Sequence, residues 1–322
     1  MGRRTAVWKA ALWGGVCGTL PDLDVLIDYG DPISNMTLHR AHSHALFWLT
    51  LASPVIAAGV AWLHGEWMLV RRWWLAVWLA LVTHPLLDAM TVYGTQLALP
   101  LTNHPFGVGS IFIIDPLYTL PLVVGVVAAL AWRAAPVVAR GLRWNAWGLA
   151  LSTSYLAWGV LAQQWIATHA AEDLARAGIR ADRVLITPAP LQSLLWRVVA
   201  VEGDAVHEGF RSLFDGARPI HFDRFERGAT LEAELAGDPR VATIAAFSKG
   251  FYKLAQRGSD VLLSDLRMGQ EPHYVFAFVV AQQASAARPV DPPRAAGGRG
   301  DTAAGLRWLW ARMWGADVAP PR

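Results

Sequence analysis

Cysteine is almost missing from this sequence: Cys17 is the one thiol in 322 residues. That excludes an internal disulfide framework and any Cys-rich zinc site. It leaves Cys17 the role of a small buried apolar residue. Charge is scarce as well. Asp, Glu, Lys and Arg make up 16% of the chain, against about 25% in soluble domains. Hydrophobic residues make up 54%, with 17 Trp and a mean hydropathy of +0.31. The shortage is uneven, because the apolar runs crowd into the first half, and a membrane protein is the class this fits. Nor does one sign of charge dominate. A net charge of +3 is too mild to argue for a nucleic-acid partner. No internal repeat is visible. The segment Met1–Leu20 runs from basic to apolar as a signal peptide does, but it lacks a clear small-x-small cleavage site and leads straight into acidic residues. It reads as a retained first helix.

A bilayer span needs roughly 20 mostly apolar residues. Five segments are candidates: Thr5–Leu20, short and carrying Lys9; Ala45–Leu63, without charge; Trp73–Met90, apolar except for His84 and Asp88; Ile111–Trp132, apolar except for Asp115; and Trp144–Ile166, without charge. Trp residues mark many of their ends, as expected at headgroup level. The fold class expected is therefore a mostly α membrane helical bundle of four to five transmembrane helices over residues 1–168, with a smaller soluble α+β domain over 169–285. Basic residues set the orientation. Arg3, Arg4 and Lys9 begin the chain, Arg71 and Arg72 lie between the second and third segments, and Arg133, Arg140 and Arg143 between the fourth and fifth. The other loops hold only Arg40. This predicts a cytoplasmic N-terminus, with the C-terminal domain outside. On that topology Asp22, Asp24, His39, His44, His84, Asp88 and Asp115 all fall near the outer membrane face.

Past about Ala170 charges become frequent. Ala170–Arg180 reads as a short exposed helix. "RVLITPAP", "SLLWRVVAVEGDAVHEGFRSL", "VLLSDLRMG" and "HYVFAFVVAQ" read as strands. "TLEAELAGDP" and "RVATIAAFSKGFYKLA" read as helices. Residues 286–322 read as a flexible Pro/Gly/Ala-rich tail. It ends in an amphipathic Trp/Arg stretch suited either to a membrane surface or to the protein body.

Ionisable groups within a span cost about 2.5–3.5 kcal/mol each for Asp at the centre, so those of the third and fourth segments need a compensating role. His84 and Asp88 are four residues apart and share a helix face. A cation between them would offset the desolvation of both; a hydrogen-bonded pair that fixes packing is the other reading. "PDLD" sets Asp22 and Asp24 in a turn, facing a common centre or solvated. Asp28 and Asp31 read as solvated. "HRAHSH" supplies His39, His42 and His44. His42 reads as a third ligand, an outer group or, in preference, a bystander. Arg40 suits an anion such as phosphate or a lipid headgroup, and Ser43 suits the N-cap of the second span. Thr91, Tyr93 and Gly94 suit a pocket wall, and His104 a loop. Asp115, before Pro116, suits a metal ligand, an orienting partner or a helix cap. Taken together, these residues predict a site for a divalent cation. Nitrogen and oxygen donors without thiolate favour zinc, with manganese or iron as alternatives, and the number of donors permits one or two ions.

"GGVCGTLPDLD", "HRAHSH", "THPLLDAMTVYGTQLALP" and "IDPLY" occur in that order. Together they resemble the YdjM-type membrane-bound metal-dependent hydrolases of bacterial inner membranes, closely over residues 10–125 and with "TPAPLQSLLWRVV" in the later part. After His-Arg the usual pattern is Gly, any residue, Thr, His, Ser; here it is Ala41, His42, Ser43, His44, Ala45. The resemblance implies metal ligands at Asp22, His39, His44, His84 and Asp88, and less directly at Asp24 and Asp115. The arrangement is distantly similar to the zinc-dependent phospholipase C and single-strand zinc nuclease group, which implies phosphoester hydrolysis. The family is also labelled LexA-binding, but no residue here points to a DNA-repair partner.

The expectation is a hydrolase embedded in the inner membrane, acting on a lipid or lipid-linked phosphoester through a metal-activated water. Asp22 or Asp24 would ligate a second ion or act as general base, and Arg40 would stabilise phosphate charge. A metal-handling transporter and a non-catalytic membrane protein with a structural metal are the alternatives. A protein partner is not identified.

Overall fold

The structure, a computed structural model, describes residues 5–134, 136–283, 286–298 and 300–322. Arg3 and Arg4, used above for orientation, lie outside the described residues, as do Ala284, Ser285 and Arg299 of the expected boundary and tail. The chain forms two compact units. Among the described residues, one contains those of 5–27, 39–108 and 113–159; the other contains those of 28–38, 109–112 and 160–322.

The first unit is helical. It contains α1 (Val7–Thr19), a 3-10 turn over Pro21–Leu26, a second over His42–His44, α3 (Leu46–Leu63), α4 (Val70–Asp88) and α5 (Pro116–Ala131). The first part of α6 (Val138–Arg176) completes it. Its core is a stripe at helical spacing: Leu49, Ala57, Val60 and Ala61 of α3 meet Trp73, Val77 and Leu81 of α4, and Cys17 of α1 is fully buried among them. Taking each of the Leu and Val side chains out of water contributes about 1.5–3 kcal/mol. Two indole N–H groups tie α4 to α3: Trp74 donates to Ser53 Oγ (2.9 Å) and Trp78 to Thr50 Oγ1 (3.1 Å). At the α3–α4 turn, Glu66 accepts from Thr5, Lys9 and Trp73 at 2.6, 2.6 and 3.0 Å, fastening α1. Helices α5 and α6 approach through small residues. A Cβ on Gly148 would sit 2.3 Å from the Pro121 carbonyl oxygen, and one on Gly141 2.8 Å from that of Ala128.

Among the described residues, one helix, Leu46–Leu63, is long and apolar enough to cross a membrane by length and composition. The other expected spans are shorter or less apolar as folded. α1 has 13 residues and α5 has 16, because Pro116 sets the start of α5 five residues after Ile111. α4 includes Arg71 and Arg72, and α6 runs for 39 residues into polar sequence.

The second unit contains α2 (Pro32–Leu38), the end of α6 and the strands. Asp31 caps α2, accepting from Ile33 N (2.8 Å) and Ser34 N (3.1 Å), so it is not simply solvated; Asp28 is exposed. Strands β1 (Arg183–Pro188), β2 (Leu195–Glu202), β3 (Ala205–Ser212) and β4 (Phe222–Glu226) form an antiparallel sheet in chain order. Alternation along β2 sends Trp196 and Val198 to Ala162, Ile166 and Ala170 of α6, and Val199 and Val201 to Phe251, Leu266 and Tyr274. Ala170 and Leu174, expected on a short exposed helix, are buried and belong to α6.

Next come α7 (Ala229–Glu234), α8 (Pro239–Phe247), β5 (Tyr252–Arg257), β6 (Asp260–Asp265), the two-residue strands β7 (Gly269–Gln270) and β8 (His273–Tyr274), β9 (Ala277–Gln283) and β10 (Ala287–Ala295). The second sheet has the order β10-β9-β6-β5. The helix expected to continue through "FYKLA" stops at Phe247. Gly250 adopts φ +82, a left-handed conformation in which the chain turns, and Tyr252 begins a strand. The stretch read as a flexible tail also contains regular structure. β10, rich in proline, occupies a sheet edge where missing N–H donors cost nothing. α9 (Thr302–Met313) packs Trp308 and Met313 against Leu195 and Phe210.

Candidate metal centre

Three segments of the helical unit bring side chains to one point. Pro21 opens the 3-10 turn that carries Asp22. His44 ends the 3-10 turn immediately before α3, and His84 and Asp88 lie one turn apart at the end of α4. One ligand atom from each of these four residues falls in a single group, all within 4.8 Å of one another. His44 Nε2 lies 3.3 Å from Asp22 Oδ1, 3.2 Å from Asp88 Oδ2 and 3.3 Å from His84 Nε2. His84 Nε2 lies 3.4 Å from Asp22 Oδ1 and 3.3 Å from Asp88 Oδ2. Five of the six separations are thus 3.2–3.4 Å, with the Asp22–Asp88 pair within 4.8 Å, and a regular tetrahedron of the shorter edge has its centre about 2.0 Å from each corner, the length of a zinc–nitrogen or zinc–oxygen bond. Asp88 Oδ2 is buried, and its contacts with the two imidazole nitrogens lack the geometry of full hydrogen bonds. A cation at the centre would supply what that oxygen lacks. The residues therefore fit a divalent metal ion.

The enclosure is uneven. The His44 side chain is fully buried, whereas that of Asp22 is 46% exposed, so the group opens on the Asp22 side. Hydrogen bonds with the His44 and His84 imidazoles hold the Asp22 carboxyl well below the ordinary carboxylate range. Burial works against a charge on His44, but Asp22 and Asp88 outweigh it and raise the imidazole above its usual value. The field that draws a proton here draws a cation equally.

Asp24 stands outside this group. Its Oδ1 meets His39 Nδ1 at 2.8 Å, and its Oδ2 accepts from Arg40 N (3.0 Å) and Ser43 Oγ (2.5 Å). Burial pushes the Asp24 carboxyl up, but these three donors together hold it below its usual value. With both oxygens committed, Asp24 organises the His39–His44 segment. His39, expected as a ligand, faces Asp24 instead, its ring 6.0 Å from that of His44. Asp115 also lies elsewhere. It caps α5 through Leu117 N (2.9 Å) and accepts from the Tyr155 hydroxyl (2.8 Å). Ser43 does not cap α3; it links Asp24 to His44 Nδ1 (2.9 Å). Tyr93 forms a wall, edge-on to His39 and beneath the Arg40 guanidinium at 5.1 Å. His42 and His104 are exposed. The Tyr155 partner of Asp115 escaped the sequence reading, although a lone tyrosine in a charge-free apolar stretch is a signal for a buried hydrogen bond.

The model of the YdjM inner membrane protein family matches residues 1–166, just over half of the chain. The chain belongs to the YdjM inner membrane protein family. The matched region includes the three segments that carry Asp22, His44, His84 and Asp88. No curated protein and no solved structure matches the chain.

Proposed function

We propose that this YdjM-family chain is a multi-pass membrane hydrolase that uses a divalent metal, zinc on its donor set, to cleave a phosphoester of a lipid or lipid-linked substrate. The observation that carries the reading is the group of four ligand atoms with its open Asp22 side, since a structural metal site is closed whereas a catalytic one keeps an open position. A bound cation would supply Lewis acidity and a water of lowered pKa. Asp22, His44, His84 and Asp88 would hold it. His39 meets the Asp24 carboxylate through Nδ1, so Nε2 is the other ring nitrogen offered for proton transfer. His39, rather than Asp24, is then the residue that accepts a proton from water.

The lipid reading rests on the exterior of the helices. Trp48, Leu51, Val55 and Trp62 of α3 and Leu120, Val123, Val124 and Val127 of α5 are exposed, an outward apolar face suited to acyl chains. The small-residue contacts of Gly141 and Gly148 are of the kind that packs helices in lipid. We place four to five spans in the inner membrane, the N-terminus in the cytoplasm, and the site and second unit on the outer face. Reporter fusions at Gly65 and at Gly178 should then read cytoplasmic and external; the reverse pattern refutes the orientation.

The function is tested on purified protein by metal content and by phosphate release from lipid phosphomonoesters and lipid-linked phosphates. Near-stoichiometric metal and activity, both lost in His84→Ala/Asp88→Ala, are expected. Metal without activity points to a structural ion, and metal-dependent flux into liposomes points to a transporter.

A further inference from the structure

Arg40 is 95% buried, being only 5% exposed, beside the four-residue group. Its Nη2 lies 3.2 Å from Asp88 Oδ1, on the carboxylate whose other oxygen belongs to the group. The guanidinium lies over the Tyr93 ring at 5.1 Å. Its Nε and Nη1 are buried with no hydrogen-bond partner among the described residues. Buried donors of a charged group are costly to leave unmatched. The backbone goes to some length to place them: Arg40 takes φ 62, a left-handed conformation rare outside glycine, and is pinned there by Asp24 on its N–H and by Gln96 N on its carbonyl, each at 3.0 Å. Strain of this kind, around unsatisfied donors beside a candidate metal, belongs to a binding site.

We propose that Arg40 forms, with the cation held by the neighbouring group, a site for a phosphate-type oxyanion, one oxygen on the cation and others on Nε and Nη1. This rests on the metal and phosphoester reading above and adds the residue that would grip the phosphate beside the cation. A guanidinium suits it because it offers several fixed donors at once, so one nitrogen can stay on Asp88 while others reach the anion. Charge sets an order. Asp22, Asp24 and Asp88 line the site with three carboxylates, which repel an oxyanion, and a divalent cation held between them supplies the positive centre it needs. Phosphate should therefore bind to the metal-loaded protein and not to the metal-free one.

The probes are inorganic phosphate, and phosphatidic acid in mixed micelles with phosphatidylcholine micelles as control, titrated by calorimetry into full-length zinc-loaded protein. Binding of either probe is expected, at least tenfold weaker in Arg40→Lys and Arg40→Gln while zinc content stays unchanged. Tighter binding of phosphatidic acid assigns the oxyanion to a lipid headgroup; equal binding assigns it to free phosphate. Should the variants not fold, phosphate protection of Arg40 in the wild-type protein from phenylglyoxal, read by peptide mass, serves instead. Zinc bound with no phosphate binding, or with binding indifferent to Arg40, overturns this proposal alone. Failure to bind any metal overturns the hydrolase reading with it.

Discussion

Asp22 and Asp24 are two residues apart and do different work. The 3-10 turn points Asp22 at His44 and His84, with half of its side chain open to solvent, and buries Asp24 under His39, Arg40 and Ser43. Changing Asp24 should loosen the loop that presents His44. We expect Asp24→Asn to weaken metal binding about 10–100-fold, the usual cost of removing a partner behind the ligands, in competition with a chelator. Asp115→Ala removes a helix cap and leaves the Tyr155 hydroxyl without its acceptor. It should lower stability by about 1–3 kcal/mol with metal affinity unchanged. A drop in affinity like that of Asp24→Asn would return Asp115 to the ligand set. The sequence carried His84 and Asp88 clearly, because a spacing of four on an apolar helix leaves little choice of direction. It did not separate His39 from His44, because the turn between them depends on the left-handed Arg40, which no local propensity favours.

Among the elements, α4 is the most legible. Trp73, Val77 and Leu81 recur at helical spacing and continue into His84 and Asp88, so the packing stripe leads into the candidate metal site at the helix end. The crossing of α5 and α6 depends on glycine. Gly148→Val would drive a side chain into the Pro121 carbonyl and should cost about 1–3 kcal/mol by overpacking. Gly59→Ala, where a Cβ meets nothing within 4 Å, should be neutral or better. Thermal unfolding in detergent compares them, and equal melting temperatures would remove the close crossing. Elements were misread where the helix was carried through Gly250 and where proline was taken as a mark of a flexible tail. Gly250 turns the chain from α8 into β5, and the prolines of β10 occupy a sheet edge.

On the scale of the whole chain, the described residues from 286 onward contain more regular structure than their composition suggested. Arg312 makes two bonds of 2.6 Å to Asp215, and Ser212 Oγ donates to the Met313 carbonyl at 2.6 Å. Both ions are buried, so Arg312→Ala should destabilise the second unit by about 3–5 kcal/mol, the cost of stranding a buried partner. Arg294→Ala, which breaks an exposed pair with Asp260, should cost about 0–1 kcal/mol. Hydrogen exchange over β2 and β3 would register the difference, and equal protection in the two variants would mean that α9 is not anchored through this pair.

What the sequence determined by itself was class and a candidate site: an apolar helical first half, a strand-rich second half, and a set of imidazoles and carboxylates in and beside apolar helices. Periodicity and desolvation are local properties, and the chain states them directly. The tertiary structure alone decided which of seven expected ligands meet. Four do, while Asp24 and His39 pair beside them and Asp115 caps a helix. That choice depends on the mutual rotation of separate helices to within an ångström or two, set by Cys17, Trp73 and their neighbours in the core between α1, α3 and α4 and not by the ligand residues themselves.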